Sequence, residues 1–273
     1  MKPILFALLL LLAAPLAAEP AAALHPGERE AQRLLSAPEP DWVAIRAAFA
    51  EAAEAGSPTA MAYLGWIHEM GHGVEVSHPL AVIWYTRAVE AGADHLALKL
   101  AWLHLAGQPS VQDRALAERW FQAALAQGDP NAPVAYASVL LGEARQGREV
   151  ERVGEAHELL RAAHAAGHEV AVFFLAGLYI EGVGEIAPDA RKALEYTRIG
   201  AEQGHPQMQG WLAWIYHEGR GTEADPIEAA KWALLGTAGG DPEAHRLLSQ
   251  LRETLSEAQM GQARDRARAW AEP

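Results

Sequence analysis

Glycine recurs in this chain at an interval that a single packed core does not require. Gly56, Gly92, Gly128, Gly167, Gly204 and Gly240 are separated by 36, 36, 39, 37 and 36 residues. Counting from each of the first five, the eighth residue is Leu64, Leu100, Tyr136, Leu175 or Leu212, and the ninth is small: Gly65, Ala101, Ala137, Ala176 or Ala213. The twelfth is His68, His104, Leu140, Tyr179 or Tyr216. A second glycine stands fifteenth at Gly71, Gly107, Gly182 and Gly219, and one place early at Gly142. Eleven residues before the next closing glycine comes alanine: Ala81, Ala117, Ala156, Ala193 and Ala229. Three residues later a large ring is usual (Trp84, Trp120, Tyr196, Trp232), with Leu159 in the third unit. A fixed period of this length is the signature of a repeat architecture.

Each period reads as two short helices. In the last unit, Met208, Trp211, Leu212, Ile215 and Tyr216 follow helical spacing, and Glu218-Gly219-Arg220-Gly221 ends the run. Asp225-Pro226 then starts a second helix, with an N-cap residue followed by proline at the first helical position. Such a pair cannot bury its apolar face alone and stacks on its neighbours. The small ninth residue and the alanine permit close helix approach, and the ring is assigned to the core beside them. The expected fold is all-α, an αα-hairpin solenoid rather than a sheet protein.

The sequence Leu64-Gly65…Gly71-His72-Gly73-Val74, with Lys192-Ala193…Tyr196…Gly200…Gly204-His205, resembles the Sel-one-like repeats, relatives of the tetratricopeptide repeat. That resemblance implies a right-handed superhelix of about five to six repeats, acting as a scaffold for protein partners and carrying no reaction. Repeats are placed at residues 57–92, 93–128, 129–167, 168–204 and 205–240. Residues 41–56 form an N-terminal cap helix, and residues 241–273 form C-terminal capping helices with the string Arg264-Asp265-Arg266-Ala267-Arg268 on a solvent face. Residues 19–40 read as a loose lead-in with one helical turn around 29–35. Proline stands just inside a helix start at Pro58, Pro130, Pro206 and Pro242, and Pro133 is placed to bend the third unit's first helix. That unit is the most degenerate, because residues 142–154 lengthen its inter-helix turn.

Residues 1–18 read as a cleavable signal peptide, with Lys2, an apolar run over residues 4–12 and small residues at Ala17-Ala18 before Glu19. The run is too short for a membrane span. With no cysteine, no lipid attachment and no disulfide is expected, and the product is placed in the periplasm or outside the cell. A net charge of −13 disfavours nucleic acid and anionic membrane surfaces as partners. Twelve histidines raise a metal hypothesis, but His72 and His168 fall beyond the glycines that close their helices and read as turn residues. No HExxH motif, nucleophile elbow or strand-borne phosphate loop is present, so neither a cofactor nor enzyme activity is expected.

One pattern exceeds what packing requires. The tenth residue after the closing glycine is Trp66, Trp102, Ser138, Gly177 or Trp214, and the thirteenth includes Glu69 and His217. Trp66, Trp102 and Trp214 either face a concave groove, with Gly177 and Ser138 leaving room beside them, or pack against the next repeat. In a groove, their rings would stack on sugars or on proline and arginine side chains. The function expected is an exported scaffold that binds a peptide or protein segment. The alternative is a cell-envelope assembly factor touching peptidoglycan or exopolysaccharide.

Overall fold

The computed structural model describes residues 24–272; the signal segment expected at residues 1–18 lies outside them. Among the described residues fourteen α-helices run in tandem pairs, giving an all-α solenoid of αα-hairpins. The chain divides into two compact units, one ending at Ala132 and the other beginning at Pro133. Unit 1 carries α1 (Pro26–Leu35), α2 (Trp42–Glu54), α3 (Pro58–Met70), α4 (His78–Glu90), α5 (Ala97–Ala106) and α6 (Arg114–Ala126). Unit 2 carries α7 (Ala132–Ala144), α8 (Val153–Ala165), α9 (Glu169–Glu181), α10 (Ala190–Glu202), α11 (Pro206–Glu218), α12 (Pro226–Ala238), α13 (Pro242–Thr254) and α14 (Glu257–Ala271).

The closing glycines do what their spacing requires. All six have positive φ, from 75° at Gly128 to 106° at Gly92. A Cβ added at Gly92 would meet nothing within 4 Å, so the constraint there is the backbone angle alone. We expect Gly92→Ala to cost roughly 1–2 kcal/mol. Gly142, inside α7 and also with open space around its Cβ position, should gain about 0.5–1 kcal/mol on the same substitution. Urea melts of the two variants should therefore move in opposite directions.

The second helix of each repeat is set by one residue with two jobs. Ser77, Asp113, Asp189 and Asp225 stand fifteen residues before their closing glycines, and each accepts backbone N–H bonds at its helix start. Their own N–H groups donate to the carbonyls of His68, His104, Tyr179 and Tyr216, at 2.8, 2.9, 2.9 and 3.0 Å. Those acceptors are the twelfth residues of the four repeats, so the turn is closed by the same bond each time. The third repeat has Arg152 at this offset, no side-chain cap, and a 3₁₀ turn over Val150–Arg152 leading into α8.

Burial follows the repeat offsets closely. The eighth and ninth residues and the helix alanines are buried in every unit. The ring position departs from expectation: Trp232 is buried, but Trp84 and Trp120 are only half-buried. Trp232 has an added aromatic neighbour, Trp270 of α14, at 5.8 Å, whereas Trp84 has the Arg87 guanidinium over its ring.

The lead-in is also more ordered than its composition indicates. Residues 26–35 form a ten-residue helix with a capping box between His25 and Glu28, rather than one turn. Its Gly27, a poor helix former, lies where a Cβ would come within 2.4 Å of the Ala48 carbonyl oxygen. Ser57 Oγ donates to Glu28 Oε1 at 2.7 Å and ties the helix down. Thus α1 and α2 make a full helix pair. Pro130 precedes α7 instead of lying within it, and Pro133 falls in its first turn, where no helical bond is lost.

Candidate functional site

In unit 1, Trp66 is half-buried in an aromatic cluster. Its ring centroid lies 4.4 Å from His72, 6.0 Å from Trp42 and 6.5 Å from Tyr63. His72, beyond the end of α3, stacks on Trp42 at 4.2 Å and so fastens α2 to the first repeat. Trp102 is half-buried edge-on to Phe121 at 5.5 Å. Glu69 is drawn into helix packing: it accepts the Tyr85 hydroxyl at 2.6 Å and pairs with Lys99 at 2.9 Å. Burial pushes the Tyr85 hydroxyl well above the ordinary phenol range, and the Glu69 carboxylate beside it adds to the shift.

In unit 2, Trp214 lines a groove of about 390 Å³, within the usual size range of ligand clefts of ~300–1,000 Å³. Its walls come from four helices. Trp211, Trp214 and Glu218 project from α11, Gly177, Ile180 and Glu181 from α9, Ala190 and Ala193 from α10, and Glu243 from α13. Pro188 and Arg220 complete it from the loops. Gly177 is buried, and a Cβ there would stand in ordinary van der Waals contact with the Trp211 ring, at 3.7 Å, so this glycine leaves room for a methyl group. Trp211 is steadied from behind by Phe173, stacked at 4.8 Å. His217 is exposed and stands edge-on to Trp214 at 5.5 Å, outside the groove wall.

The groove is mostly apolar inside, with charge at its rim. Glu181 pairs with Arg145 at 3.2 Å, Glu243 with Arg246 at 2.7 Å, and Glu218 with Arg220. All three pairs are solvent-accessible and therefore contribute little to stability. Tyr179, also on the wall, is held by His157 Nε2 at 2.6 Å from its hydroxyl and by Tyr196 stacked at 5.8 Å.

Of the five residues singled out in the sequence, the groove gathers one, Trp214. Its partner ring Trp211 stands out in the sequence only as one of the apolar residues at helical spacing. The missed signal is a spacing: residues 211, 214 and 218 are related by three and seven, one stripe of a helix. The stripe runs from Trp211 through Trp214 to Glu218, and His217 falls outside the lining.

The Sel1 repeat family model matches residues 58–92, 96–129, 170–205 and 206–241. The unmatched third repeat is the one without the capping residue. Among solved structures, the chain is similar to a protective antigen present in uropathogenic Escherichia coli strains and displaying an SLR fold. That pair is 27% identical with a TM-score of 0.67, covering 86% of this chain and 50% of the other. This chain thus spans half the length of that relative. It is also similar in fold to a Sel1 repeat protein from Oxalobacter formigenes, with 22% identity, a TM-score of 0.62, and coverage of 91% and 96%. A search of curated proteins returned no match.

Proposed function

This chain belongs to the Sel1 repeat family, and on that footing we propose that it is an exported scaffold holding a peptide or protein segment in the groove of unit 2. The observation that carries the reading is the groove of about 390 Å³ with Trp211 and Trp214 in its walls. Aromatic walls of this kind offer a large apolar contact at small entropic cost and commonly act as anchors. An apolar side chain fits these walls better than a hydroxyl-rich sugar, whose polar groups would lose water without finding convergent partners. The anchor belongs in unit 2 rather than at Trp66 or Trp102, because those rings are already covered on one side by neighbours, and the Glu69 carboxylate is already engaged. Export is supported by the apolar run at residues 4–12 and the small residues before Glu19.

Two variants test the groove. Trp214→Ala removes a wall, and Ala190→Leu, at an exposed lining residue, narrows the space from α10. A protein partner captured from envelope extract by the wild-type chain should bind each variant about thirty-fold more weakly, with melting midpoints little changed. Undiminished capture by both variants would overturn the groove reading. Sedimentation with insoluble peptidoglycan that is lost in both variants would instead favour the envelope-glycan role.

A further inference from the structure

We propose that the occupant of the unit 2 groove is a cationic peptide segment, with one aliphatic or aromatic side chain seated beside Trp211 and Trp214 and flanking lysine or arginine meeting the rim. This rests on the reading of the groove as a peptide site and adds the chemistry of the peptide.

The rim departs from the repeat pattern at the positions that face the ligand. At the fourteenth residue after the closing glycine, the first three repeats have Met70, Ala106 and Gly142, and the last two have Glu181 and Glu218. The fold therefore does not require a carboxylate there. Each of these glutamates is the last residue of its helix, α9 or α11, where the carbonyl end of the helix carries partial negative charge. A carboxylate at that place opposes the helix dipole, so its presence is unfavourable for the helix and favourable for a cation brought near it. Glu243 adds a third carboxylate to the lining, against one guanidinium, that of Arg220.

The arginines that pair with these groups are exposed. Arg145 and Arg246, the partners of Glu181 and Glu243, are not among the lining residues, and Arg220, the partner of Glu218, is. Exposed pairs of this kind exchange readily with a competing cation. An incoming lysine held in place by an apolar anchor has the advantage of proximity. The net charge of −13 acts in the same direction, drawing cationic segments and repelling acidic ones at a distance.

The test uses the whole protein and two short acetylated peptides that share a central leucine, flanked in one by lysines and in the other by glutamates. Binding is followed by tryptophan fluorescence. The lysine peptide should bind at least about ten-fold tighter, and its advantage should shrink as salt is raised. Glu181→Gln with Glu218→Gln should bring the two peptides close to equal affinity while leaving the melting midpoint unchanged or slightly higher, since two charges opposing helix dipoles are removed. Trp214→Ala should weaken both peptides. Equal affinity of wild type for the two peptides would overturn the cationic preference and leave the groove reading intact. Binding of the lysine peptide that survives both Trp214→Ala and Ala190→Leu would place the charge contact elsewhere and overturn the proposal. Failure of both peptides to bind would remove both readings together.

Discussion

Truncating Trp232 to alanine should be the most damaging single change among the tryptophans at the ring position, lowering stability by about 3–5 kcal/mol. Trp232 is 4% exposed and belongs to the core that joins α11, α12, α13 and α14, with Leu247, Leu251 and Met260. Its outer face is covered by Trp270 at 5.8 Å, and the Lys231 ammonium sits 4.3 Å from its ring centroid. Its indole N–H has no hydrogen-bond partner, so the loss is one of packing rather than of a polar contact. Trp84 holds the same offset in the first repeat but is only half-buried, with Arg87 lying 5.0 Å above its ring. Trp84→Ala should therefore cost about 1–2 kcal/mol, the share of side-chain burial it forfeits. Removing Trp232 also takes away the surface on which α14 caps the last repeat. Trp270 fluorescence should then shift to the red before the rest of unit 2 unfolds, since coupling between repeats runs through neighbours. Equal denaturation midpoints for Trp232→Ala and Trp84→Ala would show that the cap contributes nothing to the ring's burial.

That contrast marks where sequence offsets stop being informative. The glycines, the small ninth residues and the helix alanines are set by contacts within one repeat, so periodicity alone locates them. Ser77, Asp113, Asp189 and Asp225 are equally legible, because an N-cap acts on its own helix. Whether a ring is covered depends on what the following segment brings against it, and Trp270 lies 38 residues beyond Trp232. The groove shows the same limit from the other side. Trp214 was legible as an oddity at the tenth position, but Glu181, Glu218 and Glu243 read as solvated surface until three helices are seen to present them to one cleft. Helix α1 is masked in sequence by the alanine- and proline-rich composition of residues 19–40, and its Gly27 is a close-approach residue in the fold.

Gly65→Leu should cost about 3 kcal/mol or more, and Gly65→Ala about 1–3 kcal/mol, even though alanine stands at the ninth position of every other repeat. The difference lies in the partner. A Cβ at Gly65 would fall 2.7 Å from both Cδ1 and Cε1 of Tyr85, a buried ring of α4. That ring cannot swing away easily. Its hydroxyl donates to Glu69, and Lys99 sits on the same carboxylate and 5.0 Å from the ring centroid. At the offset of Tyr85 the later repeats carry Phe121, Leu160, Thr197 and Ala233, and a glycine is not needed opposite them. The clash must outweigh the ~1 kcal/mol that alanine gains over glycine within a helix. Replacing Tyr85 by leucine should itself be destabilising, since a hydrogen bond to a charged acceptor is lost. In the Tyr85→Leu background, however, Gly65→Ala should become neutral or stabilising. The double variant should then be more stable than the sum of the single losses by about 1–3 kcal/mol. Strict additivity in that cycle, measured by urea denaturation, would show that the ring yields and that Gly65 is not matched to Tyr85.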